Sequence, residues 1–185
     1  TADIVQTGAG HVLLESRANE IRQEAHVLSI GGSITFMAHL DVRMLDGTRT
    51  DAAAGSIVYT AGQAIVLAEL YAQTAMALTA QALGIQSVSG FSGLYHLDGE
   101  TETVTLSANT GIGVAAVPLR TRIGGLEAEV LTSGGLFVEE ATGLTVQNSG
   151  IQVEGSGGHL VLTAGESVSV QAQIRSVNGS LRVEA

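Results

Sequence analysis

Eight short runs along the chain share one pattern: apolar or small residues occupy every second position over five residues, and the last of them is usually Ala. This alternation places every second side chain on one face of an extended strand, so each run predicts one half-buried β-strand. Their recurrence indicates a stack of repeats. The runs are Val12-Leu14-Ser16, Ile34-Phe36-Ala38, Ile57-Tyr59-Ala61, Met76-Leu78-Ala80, Val104-Leu106-Ala108, Ala128-Val130-Thr132, Leu160-Leu162-Ala164 and Leu181-Val183-Ala185.

The spacing of the runs indicates what kind of stack they form. Their first residues lie 19 to 32 residues apart, irregular but centred on the length of one coil of a β-solenoid. A β-sandwich would instead show a strand every ~8 to 12 residues, joined by hairpin turns. A second alternating stretch begins eight residues after five of the first anchors, at 42–44, 65–67, 112–114, 136–138 and 168–170. A third, less regular stretch closes each coil, as at 70–73 and 174–177.

No single coil of this kind is stable alone. Ordering the backbone costs roughly 1 to 2 kcal/mol per residue, whereas burying one Val, Leu or Ile side chain returns only about 1.5 to 3 kcal/mol. Neighbouring coils must therefore cover each other and share a ladder of main-chain hydrogen bonds. The Ala that ends most first strands fits a corner where two walls converge.

The composition agrees with a narrow interior. The chain holds 24 Gly and one Pro, and aromatic residues make up only 3% of it, although a globular core usually buries several aromatic side chains. No composition break marks a linker, so residues 1–185 predict one solenoid domain of about eight coils. Residues 1–25 form its degenerate first coil, and we interpret the whole as a segment of a longer chain.

Charge and cysteine usage exclude several classes of function. Eight Arg, no Lys and 18 acidic residues give a net charge of −10, and the Arg are scattered, which excludes a nucleic-acid or anionic-membrane partner. Because the chain has no Lys, catalysis through a lysine Schiff base is also excluded. The absence of Cys excludes disulfides, thiol catalysis and Cys-ligated metals. We find no signal peptide and no apolar stretch of membrane-spanning length.

Residues 111–128 carry the longest motif of the chain, with the pattern G-I-G-x-A-x-x-P-L-x-T-x-hydrophobic-x-x-L-x-A, and residues 135–146 continue it. Simpler coils of the form G-S-I-T-x-T-A-G lie at 32–38 and 55–62. These motifs resemble those of giant bacterial surface proteins with filamentous-haemagglutinin-like repeats. The similarity covers about residues 30 to 185, and residues 1 to 25 match it only loosely.

The resemblance implies a single right-handed parallel β-helix in an extracellular or bacterial cell-surface protein of the adhesin type. The general right-handed bias of parallel crossovers supports that handedness. The family supplies no catalytic residues and no cofactor. We therefore expect a rigid spacer with attachment as a further role. The expected partners are neighbouring repeats of the same polypeptide and glycans or a cell surface.

Two places depart from the repeat. In the 32-residue step from Ala128 to Leu160 we expect one coil with a long third side, and the 28-residue step from Met76 to Val104 contains the candidate for something more specific. Residues 86–103 are too long for a corner, so we expect a protruding loop. Asp98, Glu100 and Glu102 alternate as oxygen ligands for calcium would, and Tyr95 and His96 are candidates to stack on a sugar. The alternative is a solvated turn, after which Glu100 and Glu102 point outward from the next strand.

Other candidate chemistry is thinner. Glu139 and Glu140 are adjacent, so they face opposite sides of a strand and cannot form the convergent carboxylate pair of a glycosidase. His11 and His159 each precede a first inward residue but lie in distant coils, which predicts corner residues rather than a shared metal site. The outward positions Thr60, Thr79, Ser107 and Thr163 predict a hydroxyl ladder, either a binding face or ordinary solvent-side positions.

A polysaccharide-active β-helix enzyme or carbohydrate-binding module is the alternative function. A lyase of this type needs a basic residue beside acidic calcium ligands on one face. Arg120 and Arg122 form the only close basic pair, and their nearest acid in the sequence is Glu127. We therefore predict that the chain is not an enzyme.

Overall fold

The computed structural model describes residues 2–185, with the side chains of residues 100–102 excepted, and it contains β-strands and no helix in that part of the chain. All pairings between named strands are parallel, and the strands stack as a β-solenoid of about eight coils, which confirms the predicted fold class. The strands are β1 Ile4–Gln6, β2 Val12–Ser16, β3 Ile21–Gln23, β4 Val27–Ser29, β5 Ile34–Ala38, β6 Val42–Met44, β7 Arg49–Ala52, β8 Ile57–Ala61, β9 Ile65–Leu67, β10 Glu69–Ala72, β11 Ala75–Ala80, β12 Ile85–Ser87, β13 Leu97–Ala108, β14 Leu119–Val130, β15 Leu136–Glu140, β16 Leu144–Ser156, β17 Leu160–Ala164, β18 Val168–Val170, β19 Ile174–Asn178 and β20 Leu181–Glu184.

The first half of the rod has three sides. The first side stacks β2, β5, β8, β11 and the C-terminal half of β13. The second side is a separate four-stranded sheet of β3, β6, β9 and β12, and the third stacks β1, β4, β7, β10 and the N-terminal half of β13. The chain passes through the third, first and second sides in turn, so each circuit adds one strand to each side.

Register on the first side follows the predicted runs. Val12, Ile34, Ile57, Met76 and Val104 form one ladder, and every second residue after them points into the core. At the end of these strands Ala38, Ala61, Ala80 and Ala108 are also stacked and buried. The predicted role of Ala at a converging corner is therefore confirmed.

In the last coils, the assignment of the runs at Leu160 and Leu181 to the first side was wrong. Leu136 lies on the second side as expected, because it continues the bridges from Ile85 and Ile112. Leu160 and Leu181, which were expected to begin first strands, stack on Leu136 and therefore also lie on the second side. The apparent 32-residue step before Leu160 therefore contains a coil boundary at Leu136. β13 and β14 each run through the corner between the third and first sides without a break. Alternation predicts which residues point inward but not which side they occupy.

A smaller correction concerns the run at Ala128. Ala128 pairs with Leu106 rather than with Val104, and Val104 pairs with Leu126. The ladder on this side therefore begins two residues earlier than the alternation indicated.

The segment 86–103 is only partly outside the rod. Residues 88–96 leave the ladder, but Leu97 and Asp98 pair with β10 on one side and β14 on the other. The expectation that the whole segment protrudes is therefore wrong, because β13 starts inside it. By contrast, residues 4–23, with their loose match to the repeat, form three strands in register with the next coil.

Side chains complete the hydrogen bonding at the corners. Among the described residues, seven backbone N–H groups just before a strand or in its first two residues donate to a side chain 21 to 24 residues earlier, one coil away. These corner caps stand where the previous coil turns away and offers no carbonyl to the ladder. Their acceptors are Asp3, His11, His26, Ser33, Asp41, His96 and His159. The predicted corner position of His11 and His159 is confirmed.

Glu140 is a buried acid that also serves a corner. The residue is 2% exposed. Its carboxylate accepts hydrogen bonds from the Thr121 hydroxyl at 2.7 Å, the Ile123 N–H at 3.1 Å and the backbone N–H and hydroxyl of Thr142 at 3.0 and 2.9 Å. Glu139 is exposed. The prediction that these two neighbours face opposite sides is confirmed.

The stacked alanines predict that a larger side chain destabilises the fold at the buried corner but not at the neighbouring outward position. Ala61 lies between Ala38 and Ala80 and is fully buried, so Ala61→Leu should lower the free energy of unfolding by about 1 to 3 kcal/mol through overpacking. The neighbouring Thr60 points outward, and Thr60→Leu should change stability by only about 0.5 kcal/mol. Urea denaturation followed by circular dichroism measures both. Equal effects of the two variants would contradict the corner assignment.

Candidate functional site

Two insertions stand at successive passages of the corner between the second and third sides. The first is residues 88–96, between β12 and β13. The second is residues 113–118, where Val114 and Val117 exchange two backbone hydrogen bonds in a tight hairpin. Gly113 precedes the hairpin with a φ of +65°, a conformation that favours glycine. Stacking of the two coils brings the insertions together.

The first insertion is fastened to the rod rather than free. The backbone N–H and hydroxyl of Ser92 both donate to Asp46 Oδ1, at 2.9 and 3.1 Å. Arg120 Nη2 donates to the Gly93 carbonyl at 2.9 Å. Phe91 lies between the His96 ring, with centroids 3.9 Å apart, and the Arg120 guanidinium, 5.1 Å from the Phe91 centroid. The insertion is therefore a folded cover over the corner.

His96 lies fully buried beneath this cover. Its Nδ1 accepts the Arg120 N–H at 2.9 Å, so the ring proton is on Nε2, which donates to Ser87 Oγ at 2.8 Å. Burial and the nearby Arg120 charge lower the pKa of His96 to about 4. The imidazole is therefore neutral near pH 7 and already uses both nitrogens. In this arrangement it cannot take a proton from Ser87, so the pair is not an activated nucleophile.

The two proposed sugar-stacking residues are not free to stack. His96 is covered by Phe91, so that expectation is wrong for His96. Tyr95 is half-buried, and the Arg122 guanidinium lies 5.2 Å from its ring centroid. One face of Tyr95 is thus already covered by a cation.

Asp98 is engaged in a two-point ion pair. It is 9% exposed, and its two carboxylate oxygens accept hydrogen bonds from Arg122 Nε and Nη2 at 2.9 and 2.8 Å. A calcium ion at Asp98 would have to displace this guanidinium. The side chains of Glu100 and Glu102, the other two calcium candidates, lie outside the described residues. Among the side chains that are described, no group of three or more His, Asp or Glu is arranged to hold a metal ion.

An open cleft of about 570 Å³ separates the two insertions. Its lining combines apolar side chains from both with polar groups at the base. The residues that matter below are Ser87, Phe91, His96, Val114, Val117 and Arg120.

Sequence reasoning singled out His96 and Arg120 separately but did not place them together with Ser87 and Phe91. A signal was present, since His96 directly precedes the inward Leu97 just as His26 precedes Val27. That position predicts a corner cap. The contact with Phe91 had no such signal, because an insertion breaks the repeat that makes neighbours predictable.

The hydroxyl ladder is partly as expected. Thr60, Thr79 and Ser107 lie in register on the first side. Thr163 does not belong to this row, because it lies beside Glu139 and Glu184 on the side that contains β15, β17 and β20. The hydroxyl ladder therefore has three of its four predicted members. A binding role for it stays a prediction.

Comparison of the chain with protein-family models, with curated proteins and with solved structures found no match. Over residues 2–185 we find no helix of sufficient length and apolar character to cross a membrane.

The buried histidine predicts acid sensitivity. In the unfolded chain the pKa of His96 returns to about 6.5, so between pH 6.5 and 4 the unfolded state binds a proton that the folded state does not. The contribution of His96 to stability is therefore complete above pH 6.5 and falls as the pH drops toward 4, by up to roughly 3 kcal/mol. Denaturant melts over this pH range measure the loss.

The matched variant is His96→Asn, which keeps an acceptor near the Arg120 N–H but does not titrate. We expect it to be less stable at neutral pH and to lose correspondingly less stability on acidification. If the free energy of unfolding fell equally steeply with pH in the wild type and in the variant, a buried neutral His96 would be contradicted.

A second prediction concerns Asp98. Because Arg122 occupies both of its oxygens, Asp98→Asn should lower the melting temperature by the same amount in EDTA and in excess calcium. Differential scanning calorimetry in the two buffers measures this. A calcium-dependent rise in melting temperature that disappears in Asp98→Asn would instead establish the metal ligand that the sequence pattern indicated.

Proposed function

We propose that this chain is a rigid spacer, a rod-like repeat segment of an extracellular or bacterial cell-surface protein of the adhesin type. The observation that carries the proposal is one unbroken row of outward side chains in register through eight strands. The row consists of Glu15, Met37, Thr60, Thr79, Ser107, Glu129, Gln152 and Arg175. Neighbouring members lie on hydrogen-bonded strands, so the row follows the long axis.

The bonding pattern supports stiffness. Successive coils are joined by ladder hydrogen bonds on several sides, and the corner caps add further bonds between them. Bending the rod would open these bonds on one side together, because each strand pairs with the coil before and the coil after it. A spacer needs this resistance, and it needs no chemistry of its own.

Apolar side chains are exposed at the two ends of the rod, whereas the side chains at equivalent positions in the middle coils are buried. Leu181 is 51% exposed and Val183 37% exposed, whereas Leu160 and Leu162, their partners in the preceding coil, are fully buried. We propose that neighbouring repeats of the same polypeptide cover such ends. The surface location and a role in attachment to glycans or cells rest on the sequence resemblance.

The enzymatic alternative has less support. Two serine–histidine contacts occur in the described part of the chain. In the first, His96 has its proton on the wrong nitrogen to activate Ser87. In the second, His159 lies 2.7 Å from the Ser180 hydroxyl on the exposed surface, where it also caps the Ser180 N–H. Glu139 and Glu140 diverge. A structural role therefore fits the arrangement of these groups better than hydrolysis or lyase chemistry.

A distance measurement between spin labels tests the spacer. The chain has no Cys, so Glu15→Cys with Arg175→Cys creates two unique labelling sites at the ends of the outward row. Seven steps of about 4.8 Å predict a narrow distribution near 34 Å, broadened only by the label linkers.

The same doubly labelled protein in concentrated urea provides the flexible reference. A native distribution as broad as the urea one would contradict a rigid spacer. A narrow distribution at a much shorter distance would contradict the end-to-end stack.

A further inference from the structure

Arg120 differs from the other arginines in its charge environment. Seven of the eight arginines form an ion pair with an Asp or Glu, as expected in a protein of net charge −10. These pairs are Arg17 with Glu15, Arg22 with Glu24, Arg43 with Glu20 and Asp41, Arg49 with Asp51 and Glu69, Arg122 with Asp98, Arg175 with Glu154, and Arg182 with Glu184. Within the described residues Arg120 has no carboxylate partner.

The guanidinium of Arg120 retains donors for a ligand. Arginine carries five N–H donors, and the hydrogen bond to the Gly93 carbonyl uses one of them. Phe91 supports the guanidinium from one side. Both contacts hold its plane in place at the edge of the cleft, as a pre-organised anion receptor requires.

The cleft around Arg120 is apolar on one wall and uncharged at its base. Val114 and Val117 of the hairpin are 45% and 47% exposed, so this wall presents open apolar surface to the cleft. At the base, His96 is neutral near pH 7, and it donates to Ser87. Arg120 is therefore the cation of this cleft.

From these observations we propose that the cleft binds a small organic carboxylate with an apolar body. The planar guanidinium matches a carboxylate in a two-point hydrogen bond, and the valine wall covers the apolar part. A single cation suits a monoanion better than a phosphate dianion. The same chemistry is present in a free aliphatic acid and in the C-terminus of a peptide that ends in an apolar residue.

The test is a titration of the ¹⁵N-labelled full chain by two-dimensional NMR. The probes are 4-methylpentanoate for the free acid, N-acetyl-leucine for a peptide C-terminus, N-acetyl-leucinamide as the neutral analogue, and inorganic phosphate. We expect both carboxylates to shift amide signals of residues 88–96 and 113–118, with a Kd of about 1 mM for the better one. The carboxylate that binds more tightly shows whether the natural ligand is a free acid or a peptide C-terminus, and both results support the proposal.

Variants locate the binding. Arg120→Gln should weaken the better carboxylate about tenfold. Because this change also removes the bond to Gly93, Val117→Asp provides a second variant, which places a repelling charge on the exposed hairpin and leaves Arg120 intact. It should weaken binding by a similar factor. Arg175→Gln, in an exposed ion pair far from the cleft, should leave affinity unchanged.

Three results would overturn the proposal. The first is no shift from either carboxylate up to about 20 mM. The second is undiminished binding in Arg120→Gln or Val117→Asp. The third is equal binding of the amide or of phosphate, since the amide lacks the charge and phosphate lacks the apolar body.

Discussion

The parallel hydrogen-bond ladder between successive coils is the constraint on which the rest of this structure depends. In a parallel ladder, the N–H and C=O of one residue point to one neighbouring strand, and those of the next residue point to the other. A coil therefore satisfies its backbone only through the coils before and after it. The corner caps show where this arrangement is incomplete. Where the backbone turns, a His, Asp or Ser side chain supplies the acceptor that the previous coil does not present.

The same requirement explains the buried polar groups. Glu140 is an ionisable residue inside a narrow apolar rod, and four hydrogen bonds from Thr121, Ile123 and Thr142 compensate the loss of hydration. Deeper in the core, the Tyr59 hydroxyl lies 2.6 Å from the Thr50 hydroxyl and donates to Gln23, whose amide donates to the carbonyls of Ala25 and Arg49. Each of these groups links different coils, so polarity in the core is used to join neighbours.

The features of the fold that recur with the repeat were predictable from the sequence, and those that occur only once were not. Alternation identified inward residues, the coil as the repeating unit and the buried alanines, because those features recur at the period of the ladder. It did not identify the side to which Leu160 and Leu181 belong, since the inward pattern is the same on every side. The contacts of Phe91, His96 and Arg120 depend on a folded insertion that has no repeat, so only the corner position of His96 was readable in advance. The right-handed sense stays a prediction from the family resemblance.

The two insertions arise at the same corner in consecutive coils, although the chain completes a full circuit between them. Their lengths are independent of each other, and neither contributes a strand to the stack on which the rod depends. A residue gained or lost in the hairpin at 113–118 would therefore reshape the wall of the cleft while leaving the alignment of the coils intact. The shape of the cleft and the alignment of the coils are thus separable features of this molecule, so exchanging one short turn would change the proposed ligand preference and leave the rod as it is.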